Sequence, residues 1–405
     1  MEMETQIADA GISRSAFASL FLTVFLDSFG FMMVFSYLYF FAKSLGASPL
    51  VYGALLAGYA IMQLVFSPIL GKLSDKLGRR RVLIISTFGT GLSLLIFGMA
   101  NSLAMLFIAR AVSGVMGATF PIAQAYVSDT TDQKGRFKYM ALLGAGLGLG
   151  LAVGPAVGGL LSATFGYAVP SISGAALGFI NCAMTYLRLP EPPRLRKTDS
   201  KVSFRSALSQ SGLKMILCTY FLFFLAFLVI STTYSPWASD RLGFGPLEVG
   251  LNLFYIGSLL VVVQGMLIPR ISSKFSPSLL MAGGLFMFVI GLVTLSLTDS
   301  VQTLIAANSM LAFGYGLTVP SISTMISTIA SGESRGATFG IAQSLQGGAQ
   351  VVSPILGNLV LAMGVGSGFL GLASIISMGI MLPPLAFGVV FARNSSPRLF
   401  GLIGR

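Results

Sequence analysis

Long apolar stretches recur along almost the whole chain, and they constrain the fold more than any other feature. Twelve of them reach about 20 residues, the length that an α-helix needs to cross the hydrocarbon core of a bilayer. Their approximate bounds are 16–42, 50–70, 82–100, 103–127, 137–163, 170–188, 213–238, 247–269, 278–297, 302–330, 337–363 and 367–392. Charged residues make up 9% of the chain, against about 25% in soluble proteins. The sequence therefore predicts an all-α membrane protein with twelve transmembrane helices and excludes a soluble enzyme.

Lysine and arginine are distributed unevenly between the two ends of the predicted helices. If the amino terminus is inside, 22 of the 25 basic residues fall in inner segments. The outer loops hold two, Lys43 and Arg241, and one more, Arg110, lies within a helix. Because basic residues collect on the cytoplasmic side, we expect both termini in the cytoplasm. The host is then a plasma or inner membrane, or an organelle membrane. The net charge of +12 reflects these loops, and we expect no nucleic-acid partner.

A polar segment divides the predicted helices into two groups of six. The expected domains are an N-terminal six-helix bundle at 1–188, a cytoplasmic linker at 189–212 and a C-terminal six-helix bundle at 213–405. The two halves repeat, since the pattern Leu-Gly-x-x-Pro-Leu-x-x-Gly begins at 45 and again at 242. Two pseudo-symmetric bundles with the same orientation are one of the designs used for alternating access, with the substrate site near the midplane.

One acid, Asp27, lies well inside a predicted helix, and so does one base, Arg110. A charge within a bilayer is costly unless it is paired or faces water. Counting the helix rise places Asp27 about 13 Å and Arg110 about 10 Å from the outer face. The similar depths predict that the two side chains pair. The pair is either a static packing contact or a proton-coupling site, in which the carboxylate alternates between Arg110, a proton and the substrate.

The loop after the second predicted helix has one acid among five cations and a glycine at each end. It reads Gly71-Lys72-Leu73-Ser74-Asp75-Lys76-Leu77-Gly78-Arg79-Arg80-Arg81, and glycines permit a tight turn. Here the sequence resembles the major facilitator superfamily, whose signature in this loop is G-x-L-x-D-x-x-G-R-[KR]. The resemblance implies an inner gate, with Asp129 as the partner of Arg79; the alternative is a loop that only controls topology. The gate residues are then Gly71, Asp75, Gly78, Arg79, Arg80 and Asp129.

The fifth predicted helix is rich in glycine. Gly150, Gly154 and Gly158 are four residues apart, so they form one bare ridge for close helix packing. Together with Pro155 they resemble a motif that is found in antiporters and is rare in importers. This resemblance favours export.

The N-terminal third resembles the tetracycline/proton antiporters and their drug-export relatives more specifically. The similarity rests on Leu26-Asp27, on 59–63 leading into the gate loop, on 110–119, on 129–131 and on the glycine-rich helix. It implies that Asp27 and Arg110 carry proton coupling. Acids that those antiporters have in helices 3 and 9 lack counterparts here, which argues against tetracycline itself.

Polar and aromatic residues within the predicted helices are candidates for the substrate cavity, because a lone polar group is unfavourable in lipid. Such residues can instead form hydrogen bonds between helices. The substrate-binding candidates are Tyr37, Gln63, Gln124, Tyr234, Tyr255, Gln343 and Gln346.

We therefore expect a secondary transporter that exports lipophilic or weakly cationic small molecules in exchange for protons. The alternatives are a proton-independent facilitator or lipid/metabolite transporter of the same fold, and a membrane receptor or scaffold that does not transport. The chain has no histidine, and no nucleotide-binding loop is visible, so we expect no metal site, no cofactor and no enzymatic activity. The expected partners are a small-molecule substrate and the lipid bilayer, and the expected state is a monomer.

Overall fold

The computed structural model describes residues 12–131, 133–192, 211–329 and 335–362. Within these ranges the backbone forms fourteen α-helices and one π-helical turn. In chain order the α-helices are α1 Arg14–Phe35, α2 Leu38–Ser44, α3 Pro49–Leu77, α4 Arg79–Gly98, α5 Leu103–Met116, α6 Thr119–Thr130, α7 Gln133–Phe165, α8 Ala168–Arg188, α9 Ser211–Leu242, α10 Pro246–Val262, α11 Ile268–Ile271, α12 Pro277–Ser296, α13 Val301–Ile329 and α14 Arg335–Ala362. The π-helical turn, Val263–Leu267, joins α10 to α11.

Eleven helical segments in the described ranges are long and apolar enough to cross a bilayer. They coincide with the first eleven predicted spans, which confirms the all-α membrane fold. The twelfth predicted span, 367–392, lies outside the described residues. Two spans are composite: α5 and α6 together form the fourth, and α10, the π-helical turn and α11 form the eighth.

Serine side chains fix the start of several helices. The hydroxyls of Ser13, Ser48, Ser102 and Ser276 each accept a hydrogen bond from the backbone N–H three residues later. Such caps satisfy N–H groups that lack a partner in the first helical turn. At these four helix starts a serine side chain therefore satisfies one of the backbone N–H groups that the helix itself leaves unpaired.

The contacts divide the chain into two compact units. Unit 1 comprises Met1–Thr198 and Phe244–Tyr255, and unit 2 comprises Asp199–Gly243 and Ile256–Arg405. The first residues of α10 thus group with unit 1, although the sequence assigned the whole helix to the C-terminal bundle.

The two units share an internal packing pattern. In unit 1 the first span, α1, packs against the fifth, α7, and α4 packs against α5. In unit 2 its first span, α9, packs against its fifth described span, α14, and α12 packs against α13. The same partners recur at the same places in each unit, as the sequence repeat predicts. Within unit 1 this pattern brings the charged residues of α1 and α5 into one bundle.

Candidate functional site

Asp27 lies in the middle of α1, where its side chain is half-buried. The hydroxyl Oγ1 of Thr90, on α4, donates a hydrogen bond to Asp27 Oδ1 at 3.1 Å. The carboxylate is therefore held by a neutral group from a neighbouring span. The sequence did not single out Thr90, although a hydroxyl within an apolar span is the kind of signal that could have identified it.

Arg110 lies on α5 and is 5% exposed. Its guanidinium carbon stands 4.8 Å from the ring centroid of Tyr59 and 5.7 Å from that of Phe31. A cation over an aromatic face is attracted by the ring quadrupole. The Nε atom of Arg110 is buried and has no hydrogen-bond partner in the described part of the chain. The guanidinium thus rests against aromatic rings.

The structure corrects the predicted pairing of Asp27 with Arg110. Each side chain has another partner: Thr90 for the acid, and the rings of Tyr59 and Phe31 for the base. The depth argument gave the height of each residue along its helix but not the direction in which its side chain points. A direct ion pair is therefore not the arrangement of this conformation, while the coupling role of both residues stays a prediction.

The fourth span is broken close to Arg110. Helix α5 ends at Met116 and α6 begins at Thr119, which leaves a backbone carbonyl without its helical partner. Gln63, on α3, donates from Nε2 to the carbonyl oxygen of Gly117 at 3.0 Å. Irregular backbone within a membrane span needs such compensation. Gln63 thus forms a hydrogen bond between helices. The sequence left this role open as the alternative to a place in the substrate cavity.

Arg79 is the centre of the predicted gate. Its side chain is buried, and its Nε donates to Asp129 Oδ2 at 2.9 Å. Its terminal nitrogens contact Asp75 Oδ1 and Ser74 Oγ. The expected pairing of Arg79 with Asp129 is present in the structure, and it ties the start of α4 to the end of α6. That this network gates transport stays a prediction.

The two glycines of the gate loop have different roles. Gly78 separates α3 from α4 with a φ of 110°, a conformation that L side chains rarely adopt. Gly71 lies inside α3, and a methyl group added there would meet nothing within 4 Å. The expectation of a turn glycine at each end of the loop is therefore wrong for Gly71, because α3 continues to Leu77.

A residue from the linker contacts this loop and was missed by the sequence analysis. The carboxylate of Glu191 accepts a hydrogen bond from the backbone N–H of Arg80 at 3.4 Å, at the positive end of the α4 dipole. The Arg80 guanidinium stands 5.3 Å from the ring centroid of Tyr186 and donates to the carbonyl of the same residue. The end of α8 and the first linker residues therefore brace the start of α4.

The glycine ridge of α7 packs against α1. A methyl group at Gly154 would lie 2.7 Å from the carbonyl oxygen of Phe29. One at Gly150 would overlap Ser28, and one at Gly158 would overlap the carbonyl of Met33. Pro155 lies on the same helix, and its carbonyl approaches Gly250 of α10, also in unit 1. The ridge thus sets the position of the helix that carries Asp27.

Tyr37 is a core residue of unit 1, which corrects its assignment to the substrate cavity. It is fully buried at the break between α1 and α2, and its Oη lies 2.7 Å from Ser171 Oγ. Its ring is stacked on that of Tyr167 at 6.2 Å. A hydroxyl that is satisfied inside the protein and a ring that is fully covered leave no surface for a substrate.

The candidates of the C-terminal half lie in different environments. Gln346, on α14, accepts a hydrogen bond from Tyr220 Oη at 2.9 Å. Tyr220 belongs to an aromatic cluster of unit 2 in which Tyr315 and Phe227 have ring centroids 4.5 Å apart. Gln343 is exposed on the same helix. Sequence analysis found Gln346 but missed Tyr220, because the contact joins helices that are far apart in the chain.

The remaining candidates are spread over both units. Tyr234 is buried beside Trp237, with ring centroids 6.0 Å apart. Gln124 on α6 and Tyr255 on α10 are half-buried. The structure therefore places Asp27 and Arg110 in unit 1 and joins Arg79 to Asp75 and Asp129, while the polar candidates are divided between the two units.

Comparison with known proteins identifies the family of this chain. A sequence profile of the Major Facilitator Superfamily matches residues 20–354 and 216–401. The chain belongs to the major facilitator superfamily. This confirms the resemblance drawn from the gate loop, and the chain is an integral, multi-pass member of that transporter family.

Curated superfamily members named for resistance are similar to this chain. It is 28% identical over 354 residues to the class B tetracycline resistance protein of Escherichia coli, covering 83% of this chain and 88% of that protein. It is 30% identical over 352 residues to the class G protein of Vibrio anguillarum, covering 84% and 89%. It is 24% identical over 390 residues to multidrug resistance protein 2 of Bacillus subtilis, covering 91% and 95%.

Solved structures of superfamily members share the fold. The bacterial homologue of the human lysosomal transporter Spinster, in an inward-facing and unoccupied conformation, matches with a TM-score of 0.76 at 14% identity over 93% of this chain and 96% of that one. The human organic anion transporter MFSD10 (TETRAN) matches with a TM-score of 0.67 at 19% identity over 93% and 99%. At these identities the likeness concerns the fold alone.

Proposed function

We propose that this major facilitator chain is a secondary active transporter that works by alternating access. It exports lipophilic or weakly cationic small molecules in exchange for protons, and it needs no cofactor besides the proton gradient. Relatives named for tetracycline and multidrug resistance support the export of small molecules. We further propose that it acts as a monomer with both termini in the cytoplasm, because 22 of its 25 basic residues fall in the inner segments.

The observation that carries the proposal is the environment of Asp27. A carboxylate in a membrane span, bonded to the neutral hydroxyl of Thr90, can bind and release a proton without breaking an ion pair. Within a bilayer its ionised form is costly unless a cation is near. Arg110, in the same unit, is the cation available to the ionised form. A protonated Asp27 needs no cation and can stay beside Thr90, whereas loss of the proton adds a negative charge that is attracted towards Arg110.

The aromatic cluster of unit 2 supports a lipophilic or weakly cationic substrate. The rings of Tyr220, Tyr315 and Phe227 provide apolar area, and Tyr315 and Phe227 are only half-buried. Aromatic faces also attract cations. Gln346 adds one polar contact in the same cluster. A cluster of aromatic rings with one amide suits a flat or lipophilic cation better than a sugar or a highly charged metabolite.

Transport by the purified protein in proteoliposomes tests the coupling role. With ethidium as the probe, we expect a proton gradient to drive ethidium against its concentration gradient. Asp27→Asn should abolish this movement, because a neutral amide cannot exchange a proton, while ethidium binding and thermal stability stay near native. The matched control is Asp299→Asn, which removes the charge of an exposed acid and should leave transport unchanged.

Three outcomes would contradict the proposal. Gradient-driven uptake that survives in Asp27→Asn would remove this residue from proton coupling. Ethidium movement in the native protein that ignores the pH gradient would indicate a proton-independent facilitator. Binding of ethidium without any movement would indicate a receptor.

A further inference from the structure

Unit 1 contains a small cavity between α1, α4 and α5. Its volume is about 20 Å³, room for one water-sized particle. Arg110, Thr90, Ser93 and Ser113 provide its polar wall. The rest of the lining is apolar: Phe31, Val34, Leu94, Phe97 and Ala109. One cation and three hydroxyls therefore line a cavity for a single small particle, inside a helix bundle that is otherwise apolar.

The charge of Arg110 is only partly compensated in this conformation. Arg110 is 95% buried, and its guanidinium contacts the faces of Tyr59 and Phe31. Its Nε has no hydrogen-bond partner in the described residues, and Asp27 is bonded to Thr90 instead. A buried cation is costly when it has no anionic or hydrogen-bonding partner. The side chain that lines the cavity thus has an unused donor and an unneutralised charge.

The three hydroxyls around the cavity differ in whether they already donate a hydrogen bond within the protein. Thr90 already donates to Asp27 at 3.1 Å, and Ser93 donates to the carbonyl of Thr90 at 2.8 Å. For Ser113, on α5 one turn beyond Arg110, the structure records no hydrogen-bond partner among the described residues. The donors that remain for a ligand are therefore the guanidinium of Arg110 and the hydroxyl of Ser113.

We propose that this cavity binds a small monovalent anion. Arg110 and Ser113 donate to the anion, and the apolar walls exclude competing water. A particle of this charge and size neutralises the guanidinium while Asp27 is engaged with Thr90. A halide ion has this charge and is a single atom, whereas acetate has four heavy atoms and exceeds a space for one water-sized particle. Anion binding can be measured without a pH gradient or a transported substrate, although an anion on Arg110 would compete with ionised Asp27 for the same guanidinium.

Thermal unfolding of the purified full-length protein in detergent tests the site. The probes are sodium chloride, sodium bromide and sodium acetate, each replaced by sodium gluconate at constant ionic strength. We expect a saturable rise of Tm with chloride in the native protein and no such rise in Arg110→Gln. Ser113→Ala should raise the half-saturating concentration by about tenfold or more, the loss expected for one hydrogen bond to a charged group. The matched control, Ser173→Ala, alters a half-buried serine outside the cavity and should respond as the native protein does.

The outcomes separate the possible ligands. A response to chloride and bromide but not to acetate is the expected result, and a response to acetate alone overturns the proposal, because acetate is too large for the cavity. The absence of any response also overturns the proposal, and so does an equal response in native protein and Arg110→Gln. If Arg110→Gln does not fold, an unchanged half-saturating concentration in Ser113→Ala overturns it. A crystal soaked in bromide should show anomalous density beside Arg110, and its absence at saturating bromide would be equally decisive. Because nothing is transported in these measurements, their failure leaves the proposal of proton-coupled export standing.

Discussion

At the scale of single residues, Tyr37 shows how a polar aromatic side chain in a span can serve the core. Its hydroxyl contacts Ser171, and its ring packs against Tyr167 and Phe97. We expect Tyr37→Phe to lower the free energy of unfolding by about 1 kcal/mol, the worth of one buried hydrogen bond. The KM for ethidium should not change, because the ring keeps its packing and no substrate reaches it. Chemical denaturation and transport kinetics would check both values.

A larger truncation at the same position provides the comparison. Tyr37→Ala should cost about 3–5 kcal/mol, because it leaves a cavity in the core. If Tyr37→Phe instead raises the KM several-fold at native stability, the residue contacts the substrate and the core assignment is wrong.

The residue scale also shows which partners a sequence can predict. The pairing of Arg79 with Asp129 was predicted from the resemblance of the gate loop to a family signature, and the structure places Arg79 Nε 2.9 Å from Asp129 Oδ2. For Asp27 the only information on a possible partner was its predicted depth in the membrane. Depth leaves the rotation of the helix open, and Thr90 rather than Arg110 proved to be the contact.

At the scale of helices, the ridge of α7 sets the distance between α7 and the helix that carries Asp27. A methyl group at Gly154 would lie 2.7 Å from the carbonyl oxygen of Phe29 and 3.0 Å from the backbone nitrogen of Met33. These are backbone atoms, so they can yield only if α1 moves. We expect Gly154→Ala to lower the free energy of unfolding by about 1–3 kcal/mol and to reduce proton-driven transport.

Gly148 is the matched control on the same helix. A methyl group there would meet nothing within 4 Å, and alanine is favoured over glycine in a helix by about 1 kcal/mol. Gly148→Ala should therefore be neutral or stabilising, with native transport. Equal effects of the two substitutions would show that helix propensity, and not close packing, explains the glycines.

Hydropathy predicted where the spans lie but not where they break. Windows of apolar residues located the first eleven spans, since length and composition decide whether a helix can cross a bilayer. In the broken fourth span, Pro121 lacks the N–H that would bond the carbonyl of Gly117 in a continuous helix, and Gln63 of another helix satisfies that carbonyl instead. A pattern read along one helix contains no information about an amide supplied by another.

At the scale of the whole molecule, the sequence repeat has diverged in chemistry. The spans of unit 1 carry Asp27 and Arg110, and the start of α4 carries the buried network around Arg79. The segment after the eighth span, Pro269-Arg270-Ile271-Ser272-Ser273-Lys274, is a diverged counterpart of the gate loop in unit 2. Its Arg270 is exposed and donates to the carbonyl of Met266 in the preceding turn. Duplication preserved the packing partners of the helices, while the buried ion pair belongs to the first copy.

This divergence predicts unequal effects of the same substitution in the two copies. Arg79→Gln leaves Asp129 without its cation in a site where the Arg79 side chain is 7% exposed and the Asp129 side chain 14%. Removing one partner of a buried pair costs about 3–5 kcal/mol, whereas a substitution at an exposed site stays within about 0.5 kcal/mol. We therefore expect a large loss of stability and of transport for Arg79→Gln and native behaviour for Arg270→Gln. Measuring unfolding free energies alongside ethidium transport would check this, and comparable losses in both variants would mean that the second loop retains a gate function despite its diverged sequence.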